Sequence, residues 1–90
     1  MATSSALSTR DVLTTIVRVV SPYLGETMAR SAAQAHCQKL GIDAERMLAK
    51  DVEALITRMA SGLNVFVGRE KSSAIVAELR QAIAGQGAAS

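Results

Sequence analysis

Hydrophobic residues recur at every third or fourth position along most of this chain, the spacing of one face of a helix. Val12, Leu13, Ile16, Val17, Val19 and Val20 predict a first helix from about Thr9 to Val20. At roughly 100° per residue they cover an arc of about 160°, wide for a surface helix. The β-branched content would also suit a buried strand over 16–20. The i, i+4 spacing and a good start signal decide for helix: Ser8 or Thr9 offers an N-cap, and Ser8-Thr9-Arg10-Asp11 approximates a capping box. Pro22 then disfavours the α conformation at Ser21 and fits the first turn of a following helix.

The second helix is expected from Pro22 or Tyr23 to about Lys39, with Leu24, Met28, Ala32, His36 and Leu40 recurring every four residues and Ala29, Ala33 and Cys37 beside them. Gly41 is placed to end it in the left-handed conformation, with Ile42 making the apolar contact that accompanies such an end. Asp43 is the cap expected for a third helical region over 44–61, where Met47, Leu48, Val52, Leu55, Ile56, Met59 and Leu63 keep the 3–4 spacing. This region reads either as one helix or as a short turn to Ala49 and a helix from Asp51, ending near Gly62. Asn64 to Gly68 reads as an extended connector. Ser72, Ile75, Val76, Leu79 and Ile83 mark a last helix over 69–84. The small, aperiodic stretches 1–7 and 85–90 read as flexible tails around one domain spanning 8–84. No internal repeat stands out. The expected fold is all-α, a compact bundle of four, or with a divided third region five, short helices.

Composition narrows the class. Ninety residues make one domain, and 49% hydrophobic content is that of a globular chain. Aromatics amount to Tyr23 and Phe66 alone, so the core must be aliphatic. The net charge of +2 comes from interspersed signs, without a block to suggest a nucleic-acid arm. Cys37 is a single cysteine, and the opening residues lack both a basic region and a long apolar run. A secreted domain of this size usually carries several disulfides. The expected location is therefore cytoplasmic, with no membrane span.

Each candidate chemistry fails on spacing. His36 and Cys37 are adjacent, so on a helix they point about 100° apart and neither chelate one ion nor form a nucleophile–base pair. Both are expected to be packing residues. Asp43/Glu45 and Asp51/Glu53 are i, i+2 pairs on different helix faces, unlike an acid/base site. No phosphate-binding glycine loop is present. The sequence Leu40-Gly41-Ile42 between helices, with Cys37 before it and Met47 after it, resembles the generic helix-turn-helix spacing over about 20 residues. A recognition helix there would start at Asp43 or Ala44 and lead with Asp43 and Glu45, which repel phosphate. A small DNA-binding regulator is thus the runner-up. No catalytic residue, cofactor, metal or small-molecule substrate is expected.

What remains points to association with a protein partner or with a second copy. Val12, Ile16 and Val19 belong to an apolar arc broader than a four-helix bundle needs. Val65, Phe66 and Val67 lie in a short apolar segment, where Phe66 is either a core plug or a binding anchor. The function expected is that of a non-enzymatic helical interaction module: an adaptor, a regulatory subunit or an assembly factor.

Overall fold

Three glycines at positive φ set where the helices stop: Gly25 (φ 90°), Gly41 (φ 68°) and Gly68 (φ 87°). Between them a computed structural model, which describes residues 7–89 with side chains through position 85, has four helices. These are α1 (Thr9–Leu24), α2 (Glu26–Leu40), α3 (Ala49–Val67) and α4 (Arg69–Ala89). Two short strands, β1 (Leu7–Ser8) and β2 (Arg46–Met47), pair antiparallel, Leu7 opposite Met47. The fold is the all-α bundle that the periodicity predicts. Positions 1–6 and 90, the outer parts of the two expected tails, lie outside the described residues. Leu7 pairs in a strand, and α4 continues past position 84 to Ala89.

The start of α1 is capped as its sequence implies: the Ser8 hydroxyl accepts from the Asp11 amide at 3.3 Å. The helix then runs through Pro22 instead of breaking there. Pro22 sits in the last turn, so its missing N–H leaves only the Arg18 carbonyl without an intrahelical donor. The break comes at Gly25, whose amide closes the turn on the Ser21 carbonyl at 2.7 Å. Gly41 behaves as expected. Its amide bonds to the Gln38 carbonyl, the Ile42 amide to that of Cys37, and Ile42 packs on the core. That is the double-bonded left-handed helix end.

Asp43 does cap, but it caps a turn: its Oδ1 accepts from the amides of Glu45 (2.7 Å) and Arg46 (3.3 Å). The helix itself begins only at Ala49, where the Asp51 carboxylate accepts from the Leu48 amide at 3.2 Å. Of the two readings of 44–61, the one with a late-starting helix is nearer. The α3 helix passes through Gly62 and takes in 64–67, the stretch expected to be extended.

Two side-chain bonds set α3 and α4 antiparallel, and a third joins α2 to α3. Arg80 reaches Glu53 and Ser72 Oγ reaches the Ala60 carbonyl across α3 and α4 (2.5 and 3.2 Å); Arg58 reaches His36 across α2 and α3 (3.4 Å). Helix α1 packs on α2 and α4, and α3 on the same two, giving an up-down-up-down ring. The β pair ties the start of α1 to the approach to α3. The Thr9 hydroxyl adds a bond to the Asp43 carbonyl at 2.7 Å. The Gly25 and Gly68 corners consequently share the opposite end of the bundle.

The core holds Val12, Ile16, Val20, Met47, Leu55, Ile56, Leu63, Ile75 and Leu79, all fully buried. Burying each such side chain contributes roughly 1.5–3 kcal/mol. On α2 the inward stripe is Ala29, Ala33 and Cys37, one position off the expected line: Met28 is exposed, and Leu24, Ala32, His36 and Leu40 are half-buried. Small residues facing inward let α2 approach its neighbours closely, and the bulkier line is left at the margin.

The two halves repeat each other. An offset of 43 residues carries Gly25 onto Gly68, and Val12, Ile16 and Val20 onto Leu55, Met59 and Leu63, all buried. The corner bonds coincide as well: Gly25 to Ser21 matches Gly68 to Asn64, and Ala29 to Gly25 matches Ser72 to Gly68. No repeat stands out in the sequence because few identities survive. The equivalence lies in burial and in the glycine corner.

Candidate functional site

The six residues expected to meet a partner separate into two groups. Val12 and Ile16 are completely buried and Val19 nearly so; all three are interior and present nothing to a partner. Most of the wide arc of α1 is consumed inside the chain, because α1 packs against both α2 and α4, and only its Leu13 side is half-exposed. By contrast, Val65 is 83% and Phe66 58% exposed, while Val67 packs partly on the core. Phe66 is not a core plug.

Val65 faces outward because it lies about 200° round α3 from Leu63, whereas Phe66, about 60° round from Leu63, is exposed because it stands past Leu63, the last buried residue of the helix. The corner repeat supplies a second aromatic. Tyr23 occupies in α1 the position of Phe66 in α3, two residues before the corner glycine, and is 44% exposed. The chain's two aromatic residues thus stand at equivalent places on one end of the bundle, with exposed Pro22 beside Tyr23 and Val65 beside Phe66. Tyr23 escapes sequence reasoning because Pro22 reads as a helix start, which assigns Tyr23 to the wrong helix.

A second feature is an open groove of about 950 Å³ between α1 and α2. Leu13, Val17 and Ala33 supply apolar lining; Arg10, Thr14 and Arg18 stand along the α1 side. Arg30 on α2 is held by Glu26 at 2.9 Å, the i, i+4 pair the sequence predicts.

No protein family, curated protein or solved structure matches this chain.

The titratable groups have structural occupations. His36 Nδ1 accepts from Arg58 Nε, and burial, with Arg58 and Lys39 nearby, holds its pKa below the usual imidazole value. Cys37 is buried, and burial first, then Asp51, pushes its thiol pKa up, the reverse of an activated nucleophile. Of the two carboxylate pairs, Asp43 and Asp51 accept backbone amides and Glu53 holds Arg80 at 2.5 Å. Among the described residues, no three His, Cys, Asp or Glu side chains gather as a metal site would need, and no helix is long and apolar enough to cross a membrane. The helix-turn-helix spacing is not realised, since residues 41–48 separate α2 from α3 and no helix starts at Asp43 or Ala44.

Proposed function

We propose that this protein is a non-enzymatic, cytoplasmic helical interaction module, an adaptor, regulatory subunit or assembly factor, which binds protein partners and associates with itself. The observation that carries this reading is the exposed pair Phe66 and Tyr23 at one end of the bundle, with Val65. Met28 and Leu48 are exposed as well, but the two aromatics stand together at one end of the bundle, and clustered large apolar side chains left in water serve as anchors for another surface. The inert environment of Cys37 and the structural roles of the carboxylates support a binding role over a catalytic one, and the single cysteine supports the cytoplasm.

The test compares proteins captured from a cell extract by the wild-type chain and by a Tyr23→Ser/Phe66→Ser variant, alongside thermal melting of both. The expected result is a partner held by the wild type and lost by the variant at an unchanged melting temperature. Equal capture by both would overturn the aromatic end as the binding surface.

A further inference from the structure

The groove between α1 and α2 carries the whole formal charge of the molecule. Arg10, Arg18 and Arg30 line it against one acid, Glu26, a net +2 in a chain whose total is +2. Elsewhere the signs cancel. Glu26 is already held by Arg30 at 2.9 Å, while among the described residues Arg10 and Arg18 make no ion pair. Both are exposed on α1, about 12 Å apart along the axis, with exposed Thr14 between them. Beside this ridge the lining is apolar: Leu13 is half-buried, and Val17 and Ala33 are buried. From Arg10 to Pro22 the groove runs for about 18 Å, roughly three turns of helix.

Charge and shape together select the occupant. One carboxylate or phosphate group cannot meet both arginines at that separation, so a simple amphiphilic anion leaves one of them unpaired. The groove is also open, so whatever fills it keeps one side in water, and an alkyl chain has no polar side to offer. An amphipathic helix satisfies both conditions, with apolar residues on its inner face, acids on its flank and a polar back. A second copy of this chain does not supply such a helix. Helix α1 has two arginines against one aspartate, α2 has Arg30 and Lys39 against Glu26, and α4 has three cations against two glutamates. Helix α3 has two of each sign, so none of the four is net acidic.

We propose that the α1/α2 groove binds an acidic amphipathic helix of a partner protein. Its apolar residues lie on Leu13, Val17 and Ala33, and carboxylates about seven or eight residues apart on one flank meet Arg10 and Arg18, whichever way the helix runs. Complementary charge here sets partner choice and the rate of encounter, while the apolar floor supplies most of the affinity.

This inference rests on the reading of the protein as a protein-binding module, but on a different surface from the aromatic end, since neither Tyr23 nor Phe66 lines the groove. The test is selection from a displayed library of random peptides of about 16 residues, long enough for the three turns, on the full-length chain. Enriched sequences are expected to carry apolar residues at i, i+3 or i+4, and i+7, with Asp or Glu beside them. A synthetic copy of the most enriched peptide, followed by fluorescence anisotropy, is expected to bind Arg10→Glu/Arg18→Glu about tenfold more weakly than the wild type. The same peptide with lysine in place of its acids is expected to prefer that variant. Both arginines are exposed, so the variant is expected to melt like the wild type. No enrichment, enriched sequences without acids, or binding that survives the charge reversal would each overturn the proposal. Peptide binding is expected to be unchanged in Tyr23→Ser/Phe66→Ser. Binding lost there and kept in Arg10→Glu/Arg18→Glu would overturn the groove while supporting the aromatic end, so the two failures are distinguishable.

Discussion

Leu63 and Phe66 are three residues apart on one helix and belong to different environments. Leu63 is 1% exposed and Phe66 58%. Truncating Leu63 to Ala leaves a cavity and is expected to destabilise the fold by about 2–5 kcal/mol. Phe66→Ala removes mostly solvent-facing surface and is expected to stay within about 0.5 kcal/mol of the wild type. Urea unfolding of both variants checks this; a Phe66→Ala loss as large as that of Leu63→Ala would place Phe66 in the core. His36 makes a second prediction at this scale. Its folded pKa lies below the unfolded value near 6.5 because burial and the nearby Arg58 and Lys39 disfavour the imidazolium. Between the two pKa values the unfolded chain binds more protons. Stability from this group is therefore complete above about pH 6.5 and falls as the pH drops through that value toward the folded pKa. The urea midpoint is expected to fall between pH 7.5 and 5.5 in the wild type and to fall less in His36→Gln. Sequence reasoning placed His36 in the line expected to pack, whereas it lies half-buried at the margin of the true inward stripe of Ala29, Ala33 and Cys37. The cross-helix partner Arg58 was out of its reach, because only the antiparallel packing of α2 on α3 brings residues 22 positions apart together.

At the scale of the element, the glycines separate what the sequence shows from what it conceals. Gly41 was legible, since it follows a helical run and is itself followed by an apolar residue and a capping aspartate. Gly62 looked equally like a helix end, but its φ is not positive and α3 passes through it. The true corners are Gly25 and Gly68, with ψ of 150° and 165° beside positive φ. That combination is essentially reserved for glycine. A Cβ at Gly25, Gly62 or Gly68 would meet nothing within 4 Å, so the outcome of substitution is set by the backbone alone. Gly25→Ala and Gly68→Ala are each expected to cost of order 1–3 kcal/mol. Gly62→Ala is expected to stabilise by about 0.5–1 kcal/mol, because alanine is the better residue inside a helix. Melting temperatures of the three variants should therefore move in opposite directions, and a loss at Gly62 equal to that at Gly25 would contradict the corner assignment. The stretch 64–67 was misread for a related reason: Val65 and Val67 favour extended backbone locally, yet Val67 reaches the core only if the helix continues to it.

For the whole molecule, the repeated helix–glycine–helix unit raises the question of whether each half is a domain. Burial says it is not. The buried residues form a single cluster that runs from Val12, Ile16 and Val20 in the first half to Ile75, Leu79 and Ile83 in the second. Helix α1 packs on α4 and α2 on α3, so each unit keeps one long apolar face that only the other unit covers. The inward line of α2 is two alanines and a cysteine, which offers α1 little apolar area on its own. A half-chain also falls in the size range where one core seldom outweighs the entropy of ordering the backbone. The same geometry explains why the wide arc of α1 read as a surface for another protein: an arc of about 160° is more than one neighbouring helix covers, and sequence alone does not reveal that a second neighbour, α4, returns to it from the far end of the chain. Peptides spanning 1–43 and 44–90 are accordingly expected to show little helix by circular dichroism when apart, and to regain most of the helicity of the intact chain when mixed. If the 1–43 peptide were fully helical and melted cooperatively by itself, the two corners would be independent domains, and the inward positions shared by α1 and α4 would have to be explained by something other than a common core.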